Sequence, residues 1–198
     1  MIRIAVLGST RGTHLNALFN AIDQNNLAAS IELVLSNKAD ALILEKAAHF
    51  GIKSMFVSPK DLSRSEFDNS LTNILDANQI ELIVLIGYMR ILSAEFVAKW
   101  EGKIINIHPS LLPAYGGLMN LEVHQAVLNA AEIETGCTVH FVTKEVDAGP
   151  IILQKKCSVL VGDTPELLKN RVQELEGVAL IEAIKLIANK DPSPKFLS

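Results

Sequence analysis

Residues Leu82–Ile86 read LIVLI, five consecutive aliphatic side chains with no polar alternation. Such a strand has no face to offer water, so it belongs in a sheet covered on both sides, the parallel sheet of an α/β domain. The rest of the chain supplies matching pieces. Arg3–Gly8 (RIAVLG) is a short aliphatic run closed by glycine, after which Leu15, Leu18, Phe19 and Ile22 recur at helical spacing. Ile31–Ser36 restarts a strand, Ala41–Phe50 suits a helix stopped at Gly51, and Ile52–Val57 reads as a third strand. Phe67, Leu71, Ile74 and Leu75 keep one apolar helical face ahead of the LIVLI run. Ser93 can cap a short helix through Trp100, and Lys103–Ile107 (KIINI) is a fifth strand running into His108-Pro109. A helix over Val123–Ala131 and strands at Gly136–Val142 and Ile151–Val159 follow. Asp163-Thr164-Pro165 opens a long C-terminal helix, with proline in the first turn where its missing N–H is harmless. This order predicts one three-layer α/β/α domain around a mainly parallel, twisted sheet. No repeat or linker interrupts it before the tail at Asp191-Pro-Ser-Pro194.

Composition narrows the function classes. With 198 residues, 49% hydrophobic and 20% charged, the chain can bury a proper core, and a net charge of -4 argues against both disorder and a basic nucleic-acid footprint. The longest apolar run, Leu82–Met89, is far short of the ~20 residues that cross a bilayer, and the opening MIRIAVLG lacks the features of a signal peptide. The expectation is a soluble cytoplasmic protein acting on small molecules. Cys137 and Cys157 are too few for a disulfide framework and are expected to be reduced, buried thiols.

Several groups can carry chemistry. Gly8-Ser-Thr-Arg-Gly12-Thr13 joins the first strand to the first helix, where free backbone N–H groups and the helix dipole favour a phosphate. Close backbone approach there makes Gly12 the sensitive position, since a side chain would collide with the anion. The loop has neither the lysine of a Walker motif nor dinucleotide-fingerprint spacing; the plain alternative is a tight turn without a ligand. Lys38 could meet a 2′-phosphate, which keeps an NADP-dependent reductase as a rival. Asn106 and His108 alternate on an otherwise apolar strand, so both side chains leave on one side, at a strand end followed by the long Pro- and Gly-rich loop Pro109–Asn120. An amide and an imidazole together can stabilise a carbonyl oxygen as it gains negative charge and can move a proton; a structural buried histidine is the alternative. Asp147, ahead of Ala-Gly-Pro150, is either a turn aspartate or the base that completes this set. Cys137-Thr-Val-His140 has the look of a metal fragment, but residues three apart on a strand point to opposite faces, so zinc is rejected. His49 and His124 show no partner. Glu176 shares the apolar face of the last helix with Val172, with Gln173 as neighbour, so its carboxylate must find a partner unless it reaches solvent at the flank.

Taken together, Ile105-Asn-Ile-His-Pro-Ser-Leu-Leu-Pro113, the preceding Gly87-Tyr-Met-Arg-Ile-Leu92 and the following Gly136–Val142 and Val146-Asp-Ala-Gly-Pro150 resemble the phosphoribosylglycinamide formyltransferases, folate-dependent enzymes of purine synthesis. The resemblance covers nearly the whole chain. The N-I-H-P-S-L-L-P block with a downstream D-x-G is specific to formyltransferases that use 10-formyltetrahydrofolate, and Asn37-Lys38-Ala39-Asp40 with the short chain points to this member. Relatives that formylate methionyl-tRNA usually carry an extra C-terminal domain, and formyltetrahydrofolate hydrolases an extra N-terminal one, for which no room is expected here. The resemblance implies one formyltransferase domain over residues 1–198, with a Rossmann-like phosphate-binding half at about 1–100, a folate and catalytic half at about 101–189, and a short tail at 190–198. It implies that Asn106, His108 and Asp147 are catalytic. Thr10, Arg11, Gly12, Thr13 and His14, with Gln173 and Glu176, would bind the ribonucleotide. Arg64, Met89, Arg90, Ile91 and Leu92 would contact the folate, as would Asn106 and the run Thr143, Lys144, Glu145, Val146 and Asp147. The substrates implied are glycinamide ribonucleotide and 10-formyltetrahydrofolate, with no metal, no nucleic acid and no membrane, in a monomer or homodimer. The family's loop commonly reads S-G-N-G-S-N-L where this chain has Ser9-Thr-Arg-Gly-Thr-His-Leu15, and Lys144 and Gly177 replace an acid and a histidine. Another formyltetrahydrofolate-dependent transferase or hydrolase stands as the near alternative, a reductase or a non-catalytic nucleotide-binding module as distant ones.

Overall fold

The computed structural model describes residues 1–189, so the tail at 190–198 lies outside the described residues. Strands β1 (Ile2–Leu7), β2 (Ala29–Ser36), β3 (Ser54–Phe56), β4 (Leu82–Leu85), β5 (Ile104–His108), β6 (Glu134–Phe141) and β7 (Ile151–Ser158) form one sheet in the order β3-β2-β1-β4-β5-β6-β7. The first five pair in parallel; β6 and β7 continue the sheet antiparallel. The mainly parallel sheet is therefore present with every expected strand. β3 is shorter than its sequence run because, at the sheet edge, only Val34–Ser36 of β2 pair with it.

Helices α1 (Leu15–Asp23), α2 (Leu42–His49) and α6 (Pro165–Ala188) cover one face, where Ile4, Val6, Val84 and Ile105 meet Leu15, Leu18, Ile43, Val172 and Leu180. Helices α3 (Arg64–Ala77) and α4 (Ala94–Lys99) cover the other, where Ala5, Leu7, Ile83, Leu85 and Ile104 meet Phe67, Leu71, Phe96 and Trp100. Consecutive residues of β1, β4 and β5 thus enter different cores, which is why LIVLI needs no polar alternation. Each large aliphatic or aromatic side chain fully buried in this way contributes about 1.5–3 kcal/mol. Helix α5 (Leu121–Asn129) follows the Pro109–Asn120 loop and packs beside α6.

Helix starts follow the chemistry of the sequence. Ser93 caps α4 and Thr164 caps α6 with Pro165 in its first turn, while Ser63 and Glu66 form a reciprocal capping box on α3. Helix α1 is different: His14 stands at its N-cap position, yet the side chain accepts no hydrogen bond from the first turn. Because β1 lies between β2 and β4, the chain leaves β1 toward one face of the sheet and β4 toward the other, opening a crevice at the carboxyl ends of these strands.

Both cysteines are free thiols, as anticipated, but only Cys137 is buried; Cys157, near the end of edge strand β7, is partly exposed. Burial pushes the Cys137 thiol up to about 12, so it is an inert core residue. Among the described residues no helix is long and apolar enough to cross a membrane, and no group of three or more His, Cys, Asp or Glu residues is arranged to hold a metal ion.

Candidate active site

Strand β5 ends on His108, which is buried and faces an acceptor on each ring nitrogen. Nδ1 lies 3.2 Å from Oδ2 of Asp147, and Nε2 lies 3.1 Å from the carbonyl oxygen of Tyr115, in the loop that follows the strand. Nε2 therefore carries a proton. Burial, the largest effect, lowers the His108 pKa below the ordinary histidine value, although Asp147 and the Tyr115 carbonyl both favour the charged ring. Asp147 sits in the β6–β7 loop at φ +52°, a left-handed conformation that aspartate tolerates, which turns its carboxylate back toward β5. Burial alone would raise its pKa. The hydrogen bonds from His140 and the Gly117 N–H, together with the nearby histidines, outweigh burial and hold it below the usual value.

Asn106 and His108 leave the strand on the same side, but Asn106 reaches the carboxylate through an intermediary. It pairs across the strands with His140 of β6, and its Nδ2 lies 3.3 Å from His140 Nε2. His140 Nδ1 faces the Phe141 carbonyl at 2.9 Å, an oxygen that can only accept, so Nδ1 carries a proton. Asp147 Oδ1 stands 3.5 Å from the same Nε2. His140 is the functional neighbour that sequence reasoning missed, because its place opposite Asn106 depends on the antiparallel pairing of β5 with β6.

The β1–α1 loop forms the second part of the crevice. Gly12 has φ +59°, and a Cβ there would lie 2.7 Å from the Cβ of Ile43 in α2. The demand for glycine thus arises from α2 as well as from any ligand. Arg11 is exposed. Ser9 joins this loop to the segment after β4: its N–H donates to the Gly87 carbonyl at 3.0 Å, its hydroxyl accepts from the Met89 N–H at 2.9 Å and donates to Asn37 Oδ1 at 2.6 Å. Gly87, at φ +60°, has no room for a Cβ because the Thr10 hydroxyl occupies the space. From α6, Glu176 is buried and its Oε2 lies 2.8 Å from His14 Nε2. The inward carboxylate has its partner, and that partner belongs to the loop. A groove of about 450 Å³ runs from Thr13 and His14 along α1 and α6, past Gln173.

The third part is apolar. Met89 and Ile91 are exposed, Ile91 at 58%, while Leu92 is buried against α4. The Arg90 guanidinium lies over the Phe67 ring, 4.5 Å from its centre, and its Nε and the Tyr88 hydroxyl are buried without a partner. That contact sets the segment beside the first turn of α3, which begins at Arg64. Across β4 and β5, Thr143, Lys144, Glu145 and Val146 lead into Asp147, with Val146 at 59% exposure. The Val142 N–H is bonded to the Ile104 carbonyl at 2.9 Å. Met89 and Ile91 after β4 and Val146 ahead of Asp147 are thus exposed apolar side chains on two segments that follow strands.

Known proteins are similar to this chain in sequence and in fold. The family model described as formyl transferase matches residues 2–184. The trifunctional purine biosynthetic protein adenosine-3 of Gallus gallus is 48% identical over 189 residues, 95% of this chain, which spans only 18% of that relative's length. The phosphoribosylglycinamide formyltransferase of Escherichia coli (strain K12) is 42% identical over 177 residues, covering 88% of this chain and 82% of the relative. The crystal structure of glycinamide ribonucleotide transformylase 1 from Symbiobacterium toebii is 41% identical with a TM-score of 0.90, over 95% of this chain and 88% of that one. A match over almost the entire sheet and its helices, joined to a strand-end Asn106, His108 and Asp147 set, shows that the chain belongs to the formyl transferase family.

Proposed function

We propose that this chain transfers the formyl group of 10-formyltetrahydrofolate to the amine of glycinamide ribonucleotide, a step of de novo purine biosynthesis in the cytoplasm. The observation that carries the reading is the His108–Asp147 pair at the end of β5, flanked by an anion-ready loop after β1 and an apolar segment after β4. Family membership gives the chemistry class, and the names of the E. coli and S. toebii relatives give the acceptor.

In this reading residues 1–100 bear the phosphate-binding half and residues 101–189 most of the catalytic and folate half, as monomer or homodimer. The uncapped first turn of α1, at Thr13 and His14, offers amide N–H groups and the helix dipole to the ribonucleotide phosphate. The acceptor amine must come to His108, so the sugar lies between, across Glu176 and Gln173. Met89, Ile91, Leu92 and Val146 cover the folate ring system, with Arg64 and Arg90 available for its carboxylates.

The folate supplies an electrophilic formyl carbon attached to its N10. Attack by the amine forms the new C–N bond, and the Asn106 amide and the His108 Nε2–H donate hydrogen bonds to the formyl oxygen as it becomes negative. The Tyr115 carbonyl marks where an acceptor oxygen meets Nε2–H, and the formyl oxygen replaces it there. The imidazolium form of His108, supported by Asp147, gives its Nε2 proton to N10 as the C–N10 bond breaks and is left as neutral imidazole, while Asp147, through water, takes the proton lost by the amine. His140 holds Asn106 and Asp147 in register and touches no reactant.

An assay of formyltetrahydrofolate consumption with and without glycinamide ribonucleotide tests the proposal. Consumption that requires the ribonucleotide supports it. Consumption without ribonucleotide indicates a hydrolase, NADPH oxidation a reductase, and neither a binding module.

A further inference from the structure

His14 and Glu176, at 8% and 5% exposure, hold each other from opposite ends of the chain, Nε2 to Oε2 at 2.8 Å. His14 occupies an N-cap position without capping, whereas Ser63, Ser93 and Thr164 all cap their helices with their side chains. Its ring is diverted to α6. Glu176 Oε1 forms no hydrogen bond among the described residues, which leaves one oxygen of this buried carboxylate for a ligand.

We infer that His14 is a positioning residue that determines selectivity for the sugar. By holding Oε2 it fixes the Glu176 carboxylate and presents Oε1 to the sugar hydroxyls. Its own backbone N–H belongs to the phosphate loop, so one residue ties phosphate grip to sugar reading. The inference rests on glycinamide ribonucleotide being the acceptor. A buried carboxylate that loses its only cationic or N–H partner is neutralised or rotates toward water, and in either state it accepts poorly from a hydroxyl. Asparagine, common at this position in the family's loop, ends one bond short of Nε2; glutamine spans it.

The experiment is steady-state kinetics at saturating 10-formyltetrahydrofolate for the wild type, His14→Asn, His14→Gln, Glu176→Gln and the His14→Asn/Glu176→Gln double variant. Each is measured with glycinamide ribonucleotide, with its 2′-deoxy analogue, and with inorganic phosphate as competitive inhibitor. Loss of one charge-assisted hydrogen bond should raise KM for the ribonucleotide about tenfold in His14→Asn. The phosphate inhibition constant should rise much less than this KM, because the substitution leaves the backbone N–H groups of the loop in place. The ribo-over-deoxyribo preference should shrink, His14→Gln should recover most of it, and the double variant should be no worse than Glu176→Gln alone. If His14→Asn does not fold, His14→Gln and Glu176→Gln still decide, since a sugar preference unchanged in Glu176→Gln overturns the inference. Equal rises in KM and in the phosphate inhibition constant also overturn it, because His14 then serves only the phosphate loop. A wild-type chain that transfers no formyl group overturns the substrate reading and this inference together; an active wild type with an unchanged sugar preference in the variants overturns this inference alone.

Discussion

His108 Nδ1 and Asp147 Oδ2 stand 3.2 Å apart, although one residue ends a strand and the other occupies a left-handed turn after the next strand of the chain. With Tyr115 fixing the proton on Nε2, the pair presents a donor and a proton acceptor to the same small volume. If Asn106 and His108 stabilise the formyl oxygen, His108→Ala or Asn106→Ala should lower kcat roughly 10²-fold or more, the usual effect of losing such a donor, while the circular dichroism spectrum is retained. Near-normal kcat in a folded double variant would remove both from the mechanism.

Asp147→Asn keeps the shape and tolerates φ +52°, so it isolates charge from fold. Turnover should fall about 10²- to 10⁴-fold, the range for a general acid or base and its partner, with the KM for ribonucleotide changed only a few-fold. Isothermal titration showing lost ribonucleotide binding would make Asp147 a binding residue instead.

Burial holds both His108 and His124 below the ordinary histidine value of 6.5. Below that pH the unfolded chain binds more protons at these sites than the folded chain, so their contribution to stability is full above it and is lost as pH falls. Tm should therefore decline from about pH 7 to about pH 5, a window above the range in which Glu66, Asp147 and Asp163 protonate, since all three are shifted down. His124→Asn should flatten that slope. A Tm independent of pH across the window would contradict the burial of these rings.

Gly12→Ala meets both a left-handed backbone and Ile43, and should cost about 1–3 kcal/mol in urea unfolding. Combining it with Ile43→Ala should cost less than the sum of the single changes. Arg11→Ala, at an exposed site, should weaken ribonucleotide binding by about 1 kcal/mol at most. A raised ribonucleotide KM for Gly12→Ala without any loss of stability would transfer the obstacle from Ile43 to the phosphate.

Ile91, in the segment that follows β4, is a large apolar side chain left 58% exposed. If the folate covers it, Ile91→Ala removes roughly 1–2 kcal/mol of burial, about a five- to thirtyfold rise in folate KM. The ribonucleotide KM is the control and should not move.

The parallel part of the fold was legible because LIVLI and RIAVLG have no polar face, and caps such as Ser93 and Thr164 are local chemistry. Asn106 and His108 were legible as a pair from strand alternation alone. What sequence could not show was long-range register. His140 gained its place only when β6 paired antiparallel with β5, and His14 met Glu176 only when α6 crossed back over α1. For the same reason Gly12 read as a phosphate requirement, whereas Ile43, thirty-one residues later, fills the space beside it. The inward Glu176 was visible from its place after Val172, but the face of a helix reveals burial and not the identity of the partner.

The Ser9 hydroxyl joins Asn37 on one side and the Met89 N–H on the other, in a spot where Gly87 has already given up its side-chain space to Thr10. The loops that follow β1 and β4 are therefore one mechanical part rather than two. Anyone transplanting a new acceptor loop into this scaffold must graft residues 8–10 and 87–89 together, and a lineage that drifts at one of the two has to compensate at the other. A single hydroxyl group, that of Ser9, therefore couples the sequence freedom of the two loops.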